Sequence, residues 1–110
     1  MTKEEAVEIL MNARGYQQWD RLSLWYKADA NSLTKEEALA ECLDLNVLAE
    51  IWAKNKWEVR IRYKLETVCS LYNWDEEHCL LTLLGESKGF PVQEATMFAT
   101  AEALKVREEK

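Results

Sequence analysis

The chain has 110 residues, a formal charge of −6, 48% hydrophobic and 31% charged residues. Such a composition belongs to a globular protein that can bury a self-sufficient core, so it argues against a disordered chain. No apolar run approaches the roughly 20 residues of a membrane-spanning helix, and the negative balance disfavours a nucleic-acid binder.

The opening Met1-Thr2-Lys3-Glu4-Glu5 lacks the basic-then-apolar order of a signal peptide, so a cytoplasmic protein is expected. Thr2 and Glu5 have the spacing of a capping box, in which the hydroxyl takes an orphan backbone N–H and the carboxylate reaches back. A helix should therefore begin near residue 3. Glu5 and Glu8 lie one turn apart on it, opposite Ala6, Ile9, Leu10 and Ala13. Gly15 breaks the pattern. An aromatic segment with Tyr16, Trp19, Trp25 and Tyr26 follows and reads as a second helix, ending at Asp29-Ala30-Asn31-Ser32. Residues 29–37 have the outline of a calcium loop, but the register that uses Glu37 puts Tyr26, Ala28 and Ala30 where oxygen ligands are required, which excludes it.

Thr34 and Glu37 repeat the capping box and predict a helix over 35–54. Ala38, Cys42, Leu45, Ala49 and Trp52 make one apolar face, and Leu39, Leu43, Val47 and Ile51 another, which places this helix centrally or in an interface. Glu37, Glu41 and Asp44 share a polar stripe.

Residues 57–72 fit two patterns. Trp57, Val59, Ile61, Tyr63 and Leu65 alternate with polar residues as in a strand, while Trp57, Ile61, Leu65, Val68 and Tyr72 share a helical face. The run contains no Gly, Pro or Asn to turn a hairpin, and its length suits a helix, so helix is the expectation. The alternative is an α+β protein with 57–65 as a strand, pairing with 19–27 or with its own copy. On a helix, Lys56, Arg60 and Lys64 would form a basic stripe beside Trp57 and Tyr63. This segment is the basic island of the chain, with Lys56, Arg60, Arg62 and Lys64 against Glu58 and Glu66, between two acidic stretches. A basic stripe with aromatics can hold single-stranded nucleic acid, but the acidic remainder repels phosphate.

Asp75 is placed to cap another helix. His78 and Cys79 are adjacent and lack the paired short spacing of a zinc site, so a partly buried His beside a core Cys is expected. The stretch from Gly85 to Pro91 breaks the chain again, and Pro91 suits the first position of a last helix. Ala95, Ala99 and Ala103 give that helix a seam against which another helix can pack closely. Cys42, Cys69 and Cys79 are odd in number and contain no CxxC, as for free thiols in a reducing compartment. Together these segments predict a single domain over 1–110, an all-α orthogonal bundle of five or six helices. Its two broadly apolar helices point to a homodimer.

The acidic order Glu5-x-x-Glu8 followed by Glu41-x-x-Asp44 resembles the all-α nucleotide pyrophosphohydrolases of the MazG and dimeric dUTPase type. The resemblance covers those four positions, with a longer gap between the pairs than is usual there. It implies a helical dimer in which Glu5, Glu8, Glu41 and Asp44 hold Mg²⁺, a hard ion suited to carboxylates, for hydrolysis of a nucleoside triphosphate.

The residue pattern itself favours a non-enzymatic role without a cofactor. Five Trp in an acidic chain with one His point to binding another protein, as a small regulatory protein such as an inhibitor or immunity-type factor of phage or mobile-element origin. Trp25, Trp57, Arg60, Arg62 and Tyr63 are the expected partner-binding residues. An accessory subunit with no catalytic role is the third reading.

Overall fold

The computed structural model describes residues 1–19, 24–28, 30–63, 65–89 and 91–108. In chain order they form α1 (Lys3–Ala13), β1 (Gln17–Trp19), β2 (Leu24–Lys27), β3 (Ala30–Leu33), α2 (Lys35–Cys42), α3 (Leu45–Asn55), β4 (Trp57–Tyr63), β5 (Thr67–Asp75), β6 (Leu80–Gly89) and α4 (Val92–Glu108). Over the described residues the fold is α+β, 46% helix and 36% strand, with two three-stranded antiparallel sheets. This corrects the all-α bundle expected from the sequence. None of the described helices is long and apolar enough to cross a membrane.

Both Thr-headed helix starts form as expected. The Thr2 hydroxyl accepts from the Glu5 N–H, and Thr34 and Glu37 make the full reciprocal box at α2. The expected long helix over 35–54 instead divides at Leu43 and Asp44. There the Asp44 carboxylate accepts from the Asn46 N–H and starts α3 with its own cap. Lys56, in the left-handed region at φ 57°, ends α3 and turns the chain directly into β4.

Three segments expected to be helices are strands. Around Trp25, the pairs Gln17↔Tyr26 and Gln18↔Trp25 close the first hairpin of the N-terminal sheet, with order β1-β2-β3. The run from 57 to 72 folds back on itself, and Trp57↔Asn73 through Tyr63↔Thr67 pair β4 with β5. Thus the strand alternative for 57–65 was the correct one, but its partner is the following segment. The turn between Tyr63 and Thr67 needs no Gly, Pro or Asn, which defeats the length argument for a helix. Asp75 does not cap a helix: it ends β5, and a four-residue turn returns the chain as β6. This C-terminal sheet has the order β4-β5-β6.

The helix α4 touches α1 and α3 on one side and β5 and β6 on the other. Met97, Ala101 and Leu104 join Leu10, Met11, Trp25 and Leu48 in a core between the helices and the N-terminal sheet. Ala95, Ala99 and Ala103 pack on Cys69 and Leu71 of β5. The alanine seam does admit a close neighbour, but the neighbour is a strand. A Cβ built at Gly85 of β6 would lie 2.4 Å from the Ala99 carbonyl oxygen and 2.8 Å from the Ala103 nitrogen. Gly85 is therefore no segment boundary but the point where helix and strand backbones meet. Trp52 and Trp57 pack against both cores, and the Trp52 indole N–H donates to the buried Thr100 hydroxyl at 2.8 Å.

Gly85→Ala must push α4 off the sheet, because the obstructing atoms are backbone. Overpacking of this kind costs about 3 kcal/mol, so denaturant unfolding should show a lowered midpoint with little change in slope. An unchanged midpoint would contradict the contact.

Candidate interaction face

The register of the C-terminal sheet divides its side chains between two faces. Cys69 and Leu71, together with Val59, Ile61 and Trp57 from β4, belong to the face against α4. Alternation then sends Val68, Ser70, Tyr72 and Trp74 of β5 to the opposite face. Their partners there are Arg62, Arg60 and Glu58 on β4, and Lys88, Glu86, Leu83 and Leu81 on β6. The register shift beside Leu71 and Tyr72 leaves Leu84 unpaired, so Leu84 turns into the core while Leu83 faces out. No helix or strand among the described residues packs extensively on this outer face.

The outer face is apolar at one end and charged at the other. Trp74 is 45% exposed, Leu83 50% and Leu81 37%, beside the half-buried Tyr72. The Arg60 guanidinium lies 5.1 Å from the centre of the Tyr72 ring, a cation–π distance. Glu86 accepts from the buried Ser70 hydroxyl at 2.8 Å and lies 3.8 Å from Arg62, and Arg60 is 3.4 Å from Glu58. These contacts hold the charged side chains upright around the apolar rows. Exposed pairs of this kind add little stability; their effect is to order the rim.

Beyond the apolar rows, the β5–β6 turn is acidic. Asp75 Oδ1 accepts from the Glu77 and His78 amides at 3.0 and 3.3 Å, and Oδ2 lies 2.7 Å from His78 Nδ1. The His78 hydrogen bond, with help from the two amides, holds the Asp75 carboxyl below the usual carboxylate range. His78 and Cys79 are both exposed, which corrects the expectation of a partly buried His beside a core Cys. The ligand atoms of Asp75, Glu77 and His78 lie within 4.8 Å of one another. Both Asp75 oxygens already accept hydrogen bonds that close the turn, so this group has a structural role of its own.

The expected partner-binding residues separate. Arg60 and Arg62 stand on the outer face. Trp25 does not: it is 3% exposed, in the core beneath α1 and α2, and this corrects its assignment to the surface. Trp57 is half-buried on the α4 side. Tyr63 is 69% exposed at the end of β4, in the register of the inner face. The basic stripe foreseen on a helix does not form, since Arg60 is on a strand and Lys56 is a helix cap; Lys64 and the Trp19 side chain lie outside the described residues. Tyr72, Trp74, Leu81 and Leu83 were missed, although their alternation with Asn73 and Thr82 is the strand signal that marks them.

Within one chain the four acids of the pyrophosphohydrolase resemblance do not gather. Glu5 and Glu8 are exposed on α1, Glu41 pairs with Arg14 at 3.0 Å, and Asp44 caps α3. The all-α core that the resemblance implies is also absent. A cleft of about 550 Å³ lies elsewhere, with Arg14, Lys27, Lys54 and Glu50 around Ile51 and Leu104. Arg14 and Lys27 sit over the Tyr16 ring at 5.3 and 5.7 Å, and Arg14 and Lys54 stand at the C-terminal ends of α1 and α3, where cations offset the helix dipole. No known protein family, curated protein or solved structure matches the chain.

Two solution properties follow from this geometry. Burial pushes the Cys42 thiol up to about 12 and the Cys69 thiol up to about 11, whereas Cys79 is exposed. A thiol reagent should label one site per native chain, abolished by Cys79→Ser, and three after denaturation. A second fast-reacting native thiol would contradict the burial. Because the folded Asp75 carboxyl is depressed, its contribution is present above the ordinary carboxylate range and lost as pH falls through the depressed value. Amide exchange at Glu77 and His78 should accelerate, relative to its intrinsic rate, in that acid window. Asp75→Asn should blunt the change; an identical profile in the variant would refute it.

Proposed function

We propose that this chain is a non-enzymatic, cytoplasmic interaction protein that docks through the outer face of its C-terminal sheet. The observation that carries this reading is the set Tyr72, Trp74, Leu81 and Leu83. They stand side by side on a face that the described chain leaves uncovered, with Arg60, Arg62 and Lys88 at one end. A contiguous exposed apolar patch with a polar rim is the usual form of a protein-docking site. Trp, Tyr and Arg are the residues that most often anchor one. The occupant is a folded protein surface with an apolar strip, acidic where this face is basic and basic where the turn is acidic. Three free thiols suit a reducing compartment. Nucleic acid fits less well, because the acidic turn and the net charge of −6 repel phosphate. An inhibitor or immunity-type factor works in this way, by covering a surface.

The test is capture by the tagged chain from native-host lysate at low and high salt, with untagged copies of the chain counted among the partners. A stoichiometric partner that weakens at high salt and is lost with Leu83→Asp is the expected outcome. Leu45→Asp, an exposed apolar position on α3, should leave capture unchanged. Capture that survives Leu83→Asp would overturn the assignment of the face.

A further inference from the structure

The charge on the C-terminal sheet changes sign along its strands. Toward one end Arg60, Arg62 and Lys88 outnumber Glu58 and Glu86, which pair with the two arginines; Glu76 and Glu77 lie in the turn at the other end, with the apolar rows Tyr72/Leu83 and Trp74/Leu81 between. A partner for this face needs the same sequence of properties in reverse order. The chain itself meets that requirement when turned end for end. Resting on the docking reading above, we infer that the occupant of this face is a second copy of the chain, stacked sheet on sheet about a two-fold axis that crosses the strands.

The register fixes how the copies meet. With the axis passing over Asn73, midway between the apolar rows, the Trp74/Leu81 row of one copy lies on the Tyr72/Leu83 row of the other. Sheets packed face to face sit about 10 Å apart, which large interdigitating side chains fill. The same rotation sets Ser70 over Glu76 of the second copy, with Arg60 at its flank, and brings Arg62 and Lys88 to the flanks of its Glu77. Glu86, which would otherwise meet the acidic turn, is held by Ser70 and Arg62 within its own chain. The contact is isologous, so it closes at two copies and leaves no open face for further growth. The opposite stacking, turn over turn, would set the acids of both copies against each other and the cations likewise.

The experiment combines sedimentation across a wide concentration range with distance measurement between spin labels on Cys79, the exposed thiol. A dimer is expected, weakened on the order of tenfold or more by Arg62→Glu with Lys88→Glu. Adding Glu76→Lys and Glu77→Lys to the same chain should restore it. Leu83→Asp should give a folded monomer, its fold checked by circular dichroism. The two labels should be separated by roughly 20 Å plus the label arms, since each lies about three strand rows from the axis. Labels in near contact would overturn the end-for-end arrangement. A monomer at every concentration would overturn self-pairing while leaving the docking reading intact if Leu83→Asp still abolishes capture of another protein. A dimer indifferent to both Leu83→Asp and the charge reversals would overturn self-pairing through this face, and capture that also survives Leu83→Asp would overturn the docking reading with it.

Discussion

The contact between Gly85 of β6 and the backbone of α4 at Ala99 and Ala103 is the constraint on which the rest of the structure depends. A helix laid on a sheet is normally held off by side chains from both surfaces. Here the strand gives up its side chain and the helix offers the small Ala99 and Ala103 at the crossing, so the two backbones touch. Such a contact has one geometry. It fixes the rotation of α4 about its axis, and that decides which apolar residues look toward the sheet and which toward the other helices. It also fixes which face of the C-terminal sheet is the inner one. The outward direction of Tyr72, Trp74, Leu81 and Leu83 is a consequence, because strand alternation leaves no other choice once Cys69 and Leu71 are turned in.

The rotation of α4 also joins the two halves of the molecule. Its Met97, Ala101 and Leu104 close the core built by α1, α2, α3 and Trp25, while its alanine seam closes the core under β5. The hydroxyls of Thr96 and Thr100 lie between, and each is satisfied by a carbonyl one turn back in the same helix. Thr100 also accepts from the Trp52 indole, so the large side chain that spans both cores leaves no buried donor unpaired. The polar atoms along this helix thus tie α3 to α4 at the boundary of the two cores.

Signals carried by neighbouring residues were legible in the sequence, and signals carried by distant pairing were not. The two Thr caps follow from local chemistry, and both are present. The strands were misread because their evidence is non-local. Leu81 and Leu83 are indifferent strand formers, and what makes 80–89 a strand is its ladder with β5. The segment 57–72 carried both periodicities, and the missing turn residue tipped the reading toward a helix, although the turn after Tyr63 forms without one. The helical reading of its segment sends Trp25 to the surface, and its burial follows from its pairing in β2. Arg60 and Arg62 stay together at the surface because charge clustering survives the change from helix to strand. The aromatic and leucine residues beside them were not, since they come together only when β5 and β6 pair.

The outermost rows of the β5–β6 hairpin show why an uncovered apolar face is unlike the rest of this fold. β4 begins opposite Asn73, so the rows of Trp74 and Asp75 have only two strands. A two-stranded ribbon is marginal in water without a surface to pack on, and this one carries Trp74 together with Leu80, which is 59% exposed. The local means of holding it are the Asp75 bonds to His78 and Glu77, which order the turn but bury no apolar area. Folding alone gains nothing from leaving large apolar side chains on such a projection, and an edge of this kind invites unwanted pairing. Acidic residues at the turn and paired charges beside the apolar rows limit that risk, because they disfavour a surface of unmatched polarity. Sequence, register and charge therefore act together at this end of the sheet: the same residues that make the hairpin weak by itself restrict what could pack against it.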